Sequence, residues 1–279
     1  MSASSAPVSN RSTREPLGTA LITGASSGIG AVYADRLAQR GYDLILVARD
    51  GARLEALAER LSREAGVHTE VLAADLTHRA DLDRVAKRLQ DDECITLLVN
   101  NAGMAVSGKL VEADLDAVER MIALNVLAPT RLAAAAARGF TARNAGTLIN
   151  IASVLALVPE MFNGTYSGTK AYVLNLSKSL QQELGPHGVR VQAVLPGATR
   201  TEIWDRAGTP IGHLPQEMLM DVDAMVDAAL AGLDQGEAVT IPSLEAVHEW
   251  NALEEARRAL GPFLSLREPA KRYTAKASA

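Results

Sequence analysis

Residues 20–30 read Ala-Leu-Ile-Thr-Gly-Ala-Ser-Ser-Gly-Ile-Gly, ALITGASSGIG. An apolar run passes through a turn holding Gly24, Gly28 and Gly30, and a helical pattern follows. A strand that turns into a helix through glycines brings backbone N–H groups and the positive end of a helix to one point. That arrangement suits a pyrophosphate. The spacing is Gly-x-x-x-Gly-x-Gly, not the Gly-x-Gly-x-x-Gly of the standard dinucleotide fingerprint. A tight strand-to-helix turn that simply needs small residues has the same signature.

Working outward, short aliphatic runs alternate with helical patterns along the chain. Strands are expected at 19–23, 43–48, 68–73, 97–100, 147–151, 189–195 and 239–241. Helices are expected near 29–40, 51–65, 78–90, 114–138, 165–185 and 221–234, with a last one over 243–260. The strand runs are continuously apolar rather than alternating, which is how strands covered on both faces read. The expected fold is α/β: a doubly wound, Rossmann-type parallel sheet of seven strands with helices on both faces. One domain is expected over 18–261, between a disordered N-terminal tail at 1–17 and a C-terminal tail at 262–279. The longest irregular piece, 202–220, has the length of a functional loop.

The 279 residues carry a net charge of −5, which argues against nucleic acid or an anionic membrane as partner. No apolar run is long enough to span a bilayer, and the start lacks a secretory h-region. Cys94 is the only cysteine, so nothing suggests an oxidising compartment and a cytoplasmic location is expected. The five histidines are scattered without ligand spacing, and no metal site is expected.

The second strand run ends in Ala48-Arg49-Asp50. A cation there suits the 2′-phosphate of NADP(H), and an acid suits the ribose hydroxyls of NAD(H). Arg49 directly follows the strand, whereas Asp50 is placed to cap the next helix. NADP(H) is therefore preferred, with NAD(H) possible. Asp75 and the run Asn100-Asn101-Ala102-Gly103 follow the third and fourth strands, at the ends where doubly wound sheets bind ligands. Asp75 is placed either to meet an adenine amine or to cap the helix beginning near Thr77.

Ser153 follows the fifth strand, and Tyr166 and Lys170 open the helix before the sixth. Residues i and i+4 face the same way on a helix. A free phenol titrates near ~10 and is a poor acid or base at neutral pH. A unit charge at about 4 Å, with an effective dielectric near 20, is worth roughly 4 kcal/mol, on the order of three pKa units. Tyr166 beside Lys170 therefore reads as an activated acid/base. Asn125 lies on an apolar stripe with Val118 and Ile122, so its amide is either structural glue or part of a site.

Together, Thr23-Gly24-x-x-x-Gly28-x-Gly30, Asn100-Asn101-Ala102-Gly103, Asn125, Ser153, Tyr166-x-x-x-Lys170 and Pro196-Gly197 resemble the short-chain dehydrogenases/reductases, closely over residues 18–200. The resemblance implies that Tyr166 passes a proton to a carbonyl oxygen as hydride leaves a nicotinamide. Ser153 is implied to bind that oxygen, Lys170 to lower the Tyr166 pKa and hold the ribose, and Asn125 to hold a relay water. It implies that Gly24, Ser26, Gly28, Ile29 and Gly30 wrap the pyrophosphate and that Asn101, Ala102 and Gly103 line the cofactor. Pro196, Gly197, Thr199 and Thr201 fall at its nicotinamide end. A homodimer or homotetramer through the two long crossover helices is implied as well.

The substrate region is expected among Leu155, Met161, Phe162, Trp204, Met218 and Leu219, an apolar set that suits a ketone, aldehyde or secondary alcohol with apolar substituents. The leading function is NADPH-dependent carbonyl reduction. The alternatives are an NAD-dependent alcohol dehydrogenase of the same fold and a non-catalytic dinucleotide sensor, which would not need the Tyr–Lys–Ser set.

Overall fold

The apolar runs pair edge to edge. β1 (Thr19–Thr23), β2 (Asp43–Ala48), β3 (Thr69–Ala73), β4 (Ile95–Asn100), β5 (Gly146–Ile151), β6 (Val189–Val194) and β7 (Val239–Thr240) form one parallel sheet in the order β3-β2-β1-β4-β5-β6-β7. The structure is a computed structural model and describes residues 17–208 and 211–274. Residues 1–16 and 275–279 of the two expected tails, and 209 and 210 of the expected loop, lie outside the described residues.

Alternate strand residues point to opposite faces. Ile22, Leu44, Leu46, Val99 and Ile149 pack under α1 (Gly28–Arg40), α2 (Gly51–Ala65) and α8 (Val222–Asp234). Leu21, Ile45, Val47, Leu98 and Leu148 pack under α3 (Arg79–Asp91), α5 (Ala128–Arg143) and α6 (Gly164–Leu184). Burying each such side chain is worth roughly 1.5–3 kcal/mol, so both faces acquire a helical layer. Strand order reverses between β1 and β4, and the chain leaves these neighbours toward opposite faces. That divergence opens a crevice at their carboxyl ends.

The long crossover helix differs from expectation. It is α4 (Leu115–Ile122), a π-helical turn (Ala123–Leu127) and then α5, which runs on to Arg143. Pro129 has no N–H to return to the carbonyl four residues back. The preceding turn widens, and Ala128 N–H bonds Ala123 O, five residues back. α5 stops where Asn144 takes a left-handed conformation, φ 50°.

A short helix, α7 (Ile203–Arg206), opens the expected irregular loop. The excursion leaves and returns at one place. Thr199 bridges Met220, Met220 N–H donates to Ala198 O, and Arg200 N–H donates to Met220 O.

The chain divides into two compact units at Pro242/Ser243. The first holds the Rossmann-type domain. The second holds α9 (Val247–Ala259) and α10 (Lys271–Thr274). The sequence carried the domain on to 261 and began the last helix at 243. A turn at Pro242 and Ser243 intervenes, and the helix starts only at Val247.

Tyr33 of α1 is fully buried, and its hydroxyl has no partner among the described residues. Burial pushes its pKa far above the ordinary phenol value, so it stays neutral. An unpaired buried hydroxyl costs about 1–3 kcal/mol. Tyr33→Phe should therefore match or exceed the wild type in urea unfolding, by about 1 kcal/mol. A clear loss would reveal a partner for the hydroxyl.

Candidate active site

The glycine turn is shaped by contact rather than by flexibility. Gly24 and Gly28 hold φ of 67° and 55°, a region glycine enters freely. At Gly30 a Cβ would stand 2.3 Å from Gly24 O and 2.5 Å from Asn101 Nδ2. Ser27 enters α1 in extended conformation and no side chain caps the helix. The first-turn N–H groups are thus left for a ligand. Ile29 packs on the core, so its share in the turn is its backbone. Ser26 is half-buried there.

Beneath the turn sits a hydrogen-bond hub. Thr23 Oγ1 donates to Val99 O at 3.2 Å and accepts from the N–H groups of Asn101 and Ala102, both at 3.0 Å. Asn101 Nδ2 donates to Thr23 O at 2.9 Å and Gly24 O at 3.3 Å. The Thr201 methyl lies on the other side, 3.1 Å from where a Gly28 Cβ would be.

Arg49 is exposed at the end of β2, and Asp50 caps α2 by accepting from Arg53 N–H at 3.1 Å. Asp75 turns inward on its own loop: Oδ1 accepts from Thr77 N–H at 2.9 Å and Thr77 Oγ1 at 2.7 Å. Partial burial pushes its pKa up, but these two hydrogen bonds, with the charges of Arg49 and His78, bring it below the usual carboxylate range. The helix-capping reading is corrected: α3 starts at Arg79 behind His78 with no side-chain cap, and Asp75 closes the turn ahead of it.

α6 begins at Asn163, whose Oδ1 accepts from Thr165 and Tyr166 N–H and whose Nδ2 donates to Gly108 O at 2.7 Å. Tyr166 and Lys170 follow on one face, both buried. Lys170 Nζ donates to Ile151 O at 2.9 Å and lies 5.8 Å from the Tyr166 ring centre. Ser153 Oγ accepts from Leu155 N–H at 3.2 Å and donates to Pro196 O at 3.4 Å.

Burial pushes the Tyr166 phenol up to about 12, with the Ser153 hydroxyl pulling the other way. Burial pulls the Lys170 ammonium down to about 8. The sequence expectation counted the charge of Lys170, with an oxidised nicotinamide adding to it, and left burial out; desolvation is the largest influence on both groups. The ammonium sits over the ring face.

Asn125 is buried at 2% exposure while Ile122 is 38% exposed, so the expected shared stripe is broken. The π turn rotates the amide inward. Asn125 Oδ1 accepts from Met104 N–H at 2.9 Å, and Nδ2 donates to Met104 O at 2.8 Å and Thr169 Oγ1 at 3.1 Å. A Cβ on Gly103 would lie 3.2 Å from Asn125 Oδ1 and 3.5 Å from Lys170 Nζ. Asn125, Gly103 and Lys170 therefore meet at one point.

Of the expected substrate residues, Phe162 and Trp204 join the site. Phe162 packs edge-on against Tyr166 at 5.7 Å and Trp204 at 6.5 Å between ring centres. Trp204 Nε1 donates to Thr199 O at 2.8 Å, and Thr199 Oγ1 donates to Gly197 O at 3.1 Å. Leu155 is half-buried one turn from Ser153, and Leu219 is buried. Met161 and Met218 are 62% and 53% exposed, so they are rim rather than wall. A cavity of about 650 Å³ opens beside Phe162, lined by Gly108, Leu110, Asn163 and Thr165.

The short chain dehydrogenase profile matches residues 18–210. The chain belongs to the short-chain dehydrogenases. It is similar, at 53% identity and a TM-score of 0.89, to a short-chain dehydrogenase from Sphingobium yanoikuyae solved in complex with NADPH, covering 91% of this chain and 98% of that one. It is 47% identical, with a TM-score of 0.86, to the bulky-bulky ketone specific alcohol dehydrogenase from Comamonas testosteroni, covering 94% and 100%. An uncharacterised oxidoreductase of Staphylococcus epidermidis is 31% identical over 80% of this chain and 93% of its own length.

In this short-chain dehydrogenase, sequence reading missed Asn163 and Thr169 and took Thr23 only as the opening of a motif. An Asn just before Gly-Thr-Tyr is a helix-capping signal. Thr169, which joins Asn125 to Tyr166 O (2.7 Å), has no such local mark.

Two outcomes follow from the geometry. Gly30→Ala should fold poorly or bind dinucleotide at least tenfold more weakly, because the added methyl meets the Gly24 backbone as well as the Asn101 amide that is bonded to it. Calorimetric titration measures this, and wild-type affinity would refute the packing role. Lys170 has a folded pKa near 8, below its unfolded 10.5, so between those values the unfolded chain holds more protons and stability rises with pH. Relative to Lys170→Met, the wild type should gain about 2 kcal/mol in denaturant unfolding between pH 8 and 10. A flat difference would mean the ammonium is not desolvated.

Proposed function

We propose that the chain is an NADP(H)-dependent carbonyl reductase, interconverting ketones or aldehydes and their alcohols where the substituents are bulky and apolar. The carrying observation is that Ser153, Tyr166 and Lys170 are buried together at the carboxyl end of the sheet, beside a helix N-terminus left uncapped. A dinucleotide fits these residues: Gly30 leaves no room for a Cβ, α1 offers free N–H groups, and Arg49 stands exposed where a 2′-phosphate is bound in such folds. The relative solved with NADPH supports the cofactor, and the ketone-specific relative supports the substrate class.

The nicotinamide supplies hydride when bound. The chain's own work is to orient and to move a proton. Ser153 Oγ donates to the substrate oxygen and steadies the charge developing there. Tyr166 Oη delivers the proton on reduction and takes it back on oxidation. Lys170, kept cationic near neutral pH, holds the ribose hydroxyls and favours the phenolate, aided by the positive ring of an oxidised cofactor. Asn125, pinned to Met104 and Thr169, fixes the region next to Lys170 through which a proton reaches solvent. Phe162 and Trp204 form the apolar wall, and the cavity beside Phe162 takes the larger substituent. A cytoplasmic homodimer or homotetramer, paired through α5 and α6, belongs to the same reading. Exposed Leu127 and Tyr172 on those crossovers support the pairing.

Tyr166→Phe should lower kcat for an aryl ketone by a factor on the order of 10³ while NADPH binding is kept. Turnover near the wild-type rate would overturn the proton assignment. Arg49→Asp should weaken NADPH, followed by cofactor fluorescence, at least tenfold more than NADH. Equal losses would remove Arg49 from the phosphate site.

A further inference from the structure

The cleft between the phosphate turn and the end of β2 is spanned by a chain of charges. Arg53, in the first turn of α2, has Nη1 3.0 Å from both carboxylate oxygens of Glu202. Its Nε is 3.5 Å from Asp50 Oδ2. Glu202 is also hydrogen-bonded to Arg206, whose Nη2 reaches Ser27 Oγ at 3.4 Å. Ser27 is the residue from which α1 starts, and a Cβ at Gly28 would lie 3.1 Å from the Thr201 methyl. One carboxylate thus stands between a cation at the β2 end and a cation on the phosphate turn. It is an anion in front of an anion site.

We propose that Arg53 is a second cation for the 2′-phosphate and that Glu202 sets the cofactor choice by holding Arg53 until a phosphate competes for it. This rests on the NADP(H) reading above. The Arg53–Glu202 pair is about half exposed on both sides, 50% and 47%, so exchanging its partner costs little. The Arg53 and Arg206 contacts hold the Glu202 carboxyl below its usual range, so it is charged whenever a cofactor arrives. A phosphomonoester carries about −1.5 to −2 charge and three acceptor oxygens. It outbids a single carboxylate for a guanidinium fork. A cofactor without that phosphate meets the Glu202 charge and gains nothing from Arg53. Asp50, engaged in capping α2, stays beside Arg53 and orients it. Arg53 differs from Arg49 in being held by a carboxylate that a phosphate must displace.

The test is binding, without turnover. NADPH and NADH are titrated by cofactor fluorescence, and adenosine 2′,5′-bisphosphate by calorimetry, at fixed salt. Glu202→Gln should tighten NADPH and the bisphosphate about tenfold, and NADH only two- to threefold. Arg53→Gln should weaken NADPH and the bisphosphate about tenfold and leave NADH unchanged, with Arg53→Lys between the two. In Arg53→Gln/Glu202→Gln the NADPH gain of the single Glu202 change should disappear. An unchanged NADPH-to-NADH ratio in Glu202→Gln, or an equal loss of both cofactors in Arg53→Gln, overturns the inference while leaving NADP(H) use intact. Tighter NADH than NADPH binding in the wild type overturns both.

Discussion

The site hangs on the hydrogen bonds that Thr23 makes at the point where β1 and β4 part. Its hydroxyl joins three backbone groups of the β4 end, and Asn101 returns two more bonds to the β1 end. Parallel neighbours whose chains leave in opposite directions tend to splay, and this knot holds their ends together. On one side it fixes Gly24 and Gly30 so closely that no side chain fits. On the other it carries Ala102 and Gly103 to Asn125 and Lys170. The glycine turn and the Tyr166–Lys170 pocket are therefore registered against each other by one threonine.

Around Tyr166 and Lys170, burial and charge work against each other. Burial raises the phenol to about 12 and lowers the ammonium to about 8, so both side chains resist their charged forms. A further positive charge shifts a desolvated pair of this kind strongly because the surroundings screen little. The apparatus that maintains this state is local. Asn163 caps the helix at its first turn, Thr169 ties its backbone to Asn125, and the π turn forced near Pro129 aims that amide inward.

The sheet was legible because its strands are short, mainly apolar runs, although β3 carries Glu70 and β6 carries Arg190 and Gln192. β1 and β2 lie where the pattern placed them, and the other strands differ by a residue or two at their ends. The pocket residues Ser153, Tyr166 and Lys170 were legible from position, since each sits at a strand end or one helical turn from its partner. What was hidden depended on departures from ideal periodicity. A 3.6-residue stripe put Asn125 with Ile122, whereas the widened turn separates them. Asp75 was placed to cap a helix near Thr77, but the helix begins only at Arg79 and the carboxylate closes the preceding turn. Arg53 and Glu202 lie 149 positions apart and no local pattern joins them. Long-range ion pairs on a surface leave no trace in spacing.

The bridge between Thr199 and Met220 makes the segment between them a module. Its ends are already joined by the sheet-side backbone, so changing its length alters loop-closure entropy only logarithmically. Trp204, the proposed wall residue, rides on this module, while Ser153, Tyr166 and Lys170, proposed for proton transfer, stand outside it. On the proposed reading, substrate preference is thereby separable from proton transfer: Trp204 and the residues beyond Arg206 are open to exchange, whereas Thr201, Glu202 and Arg206 lie against the phosphate turn and Arg53 and are not.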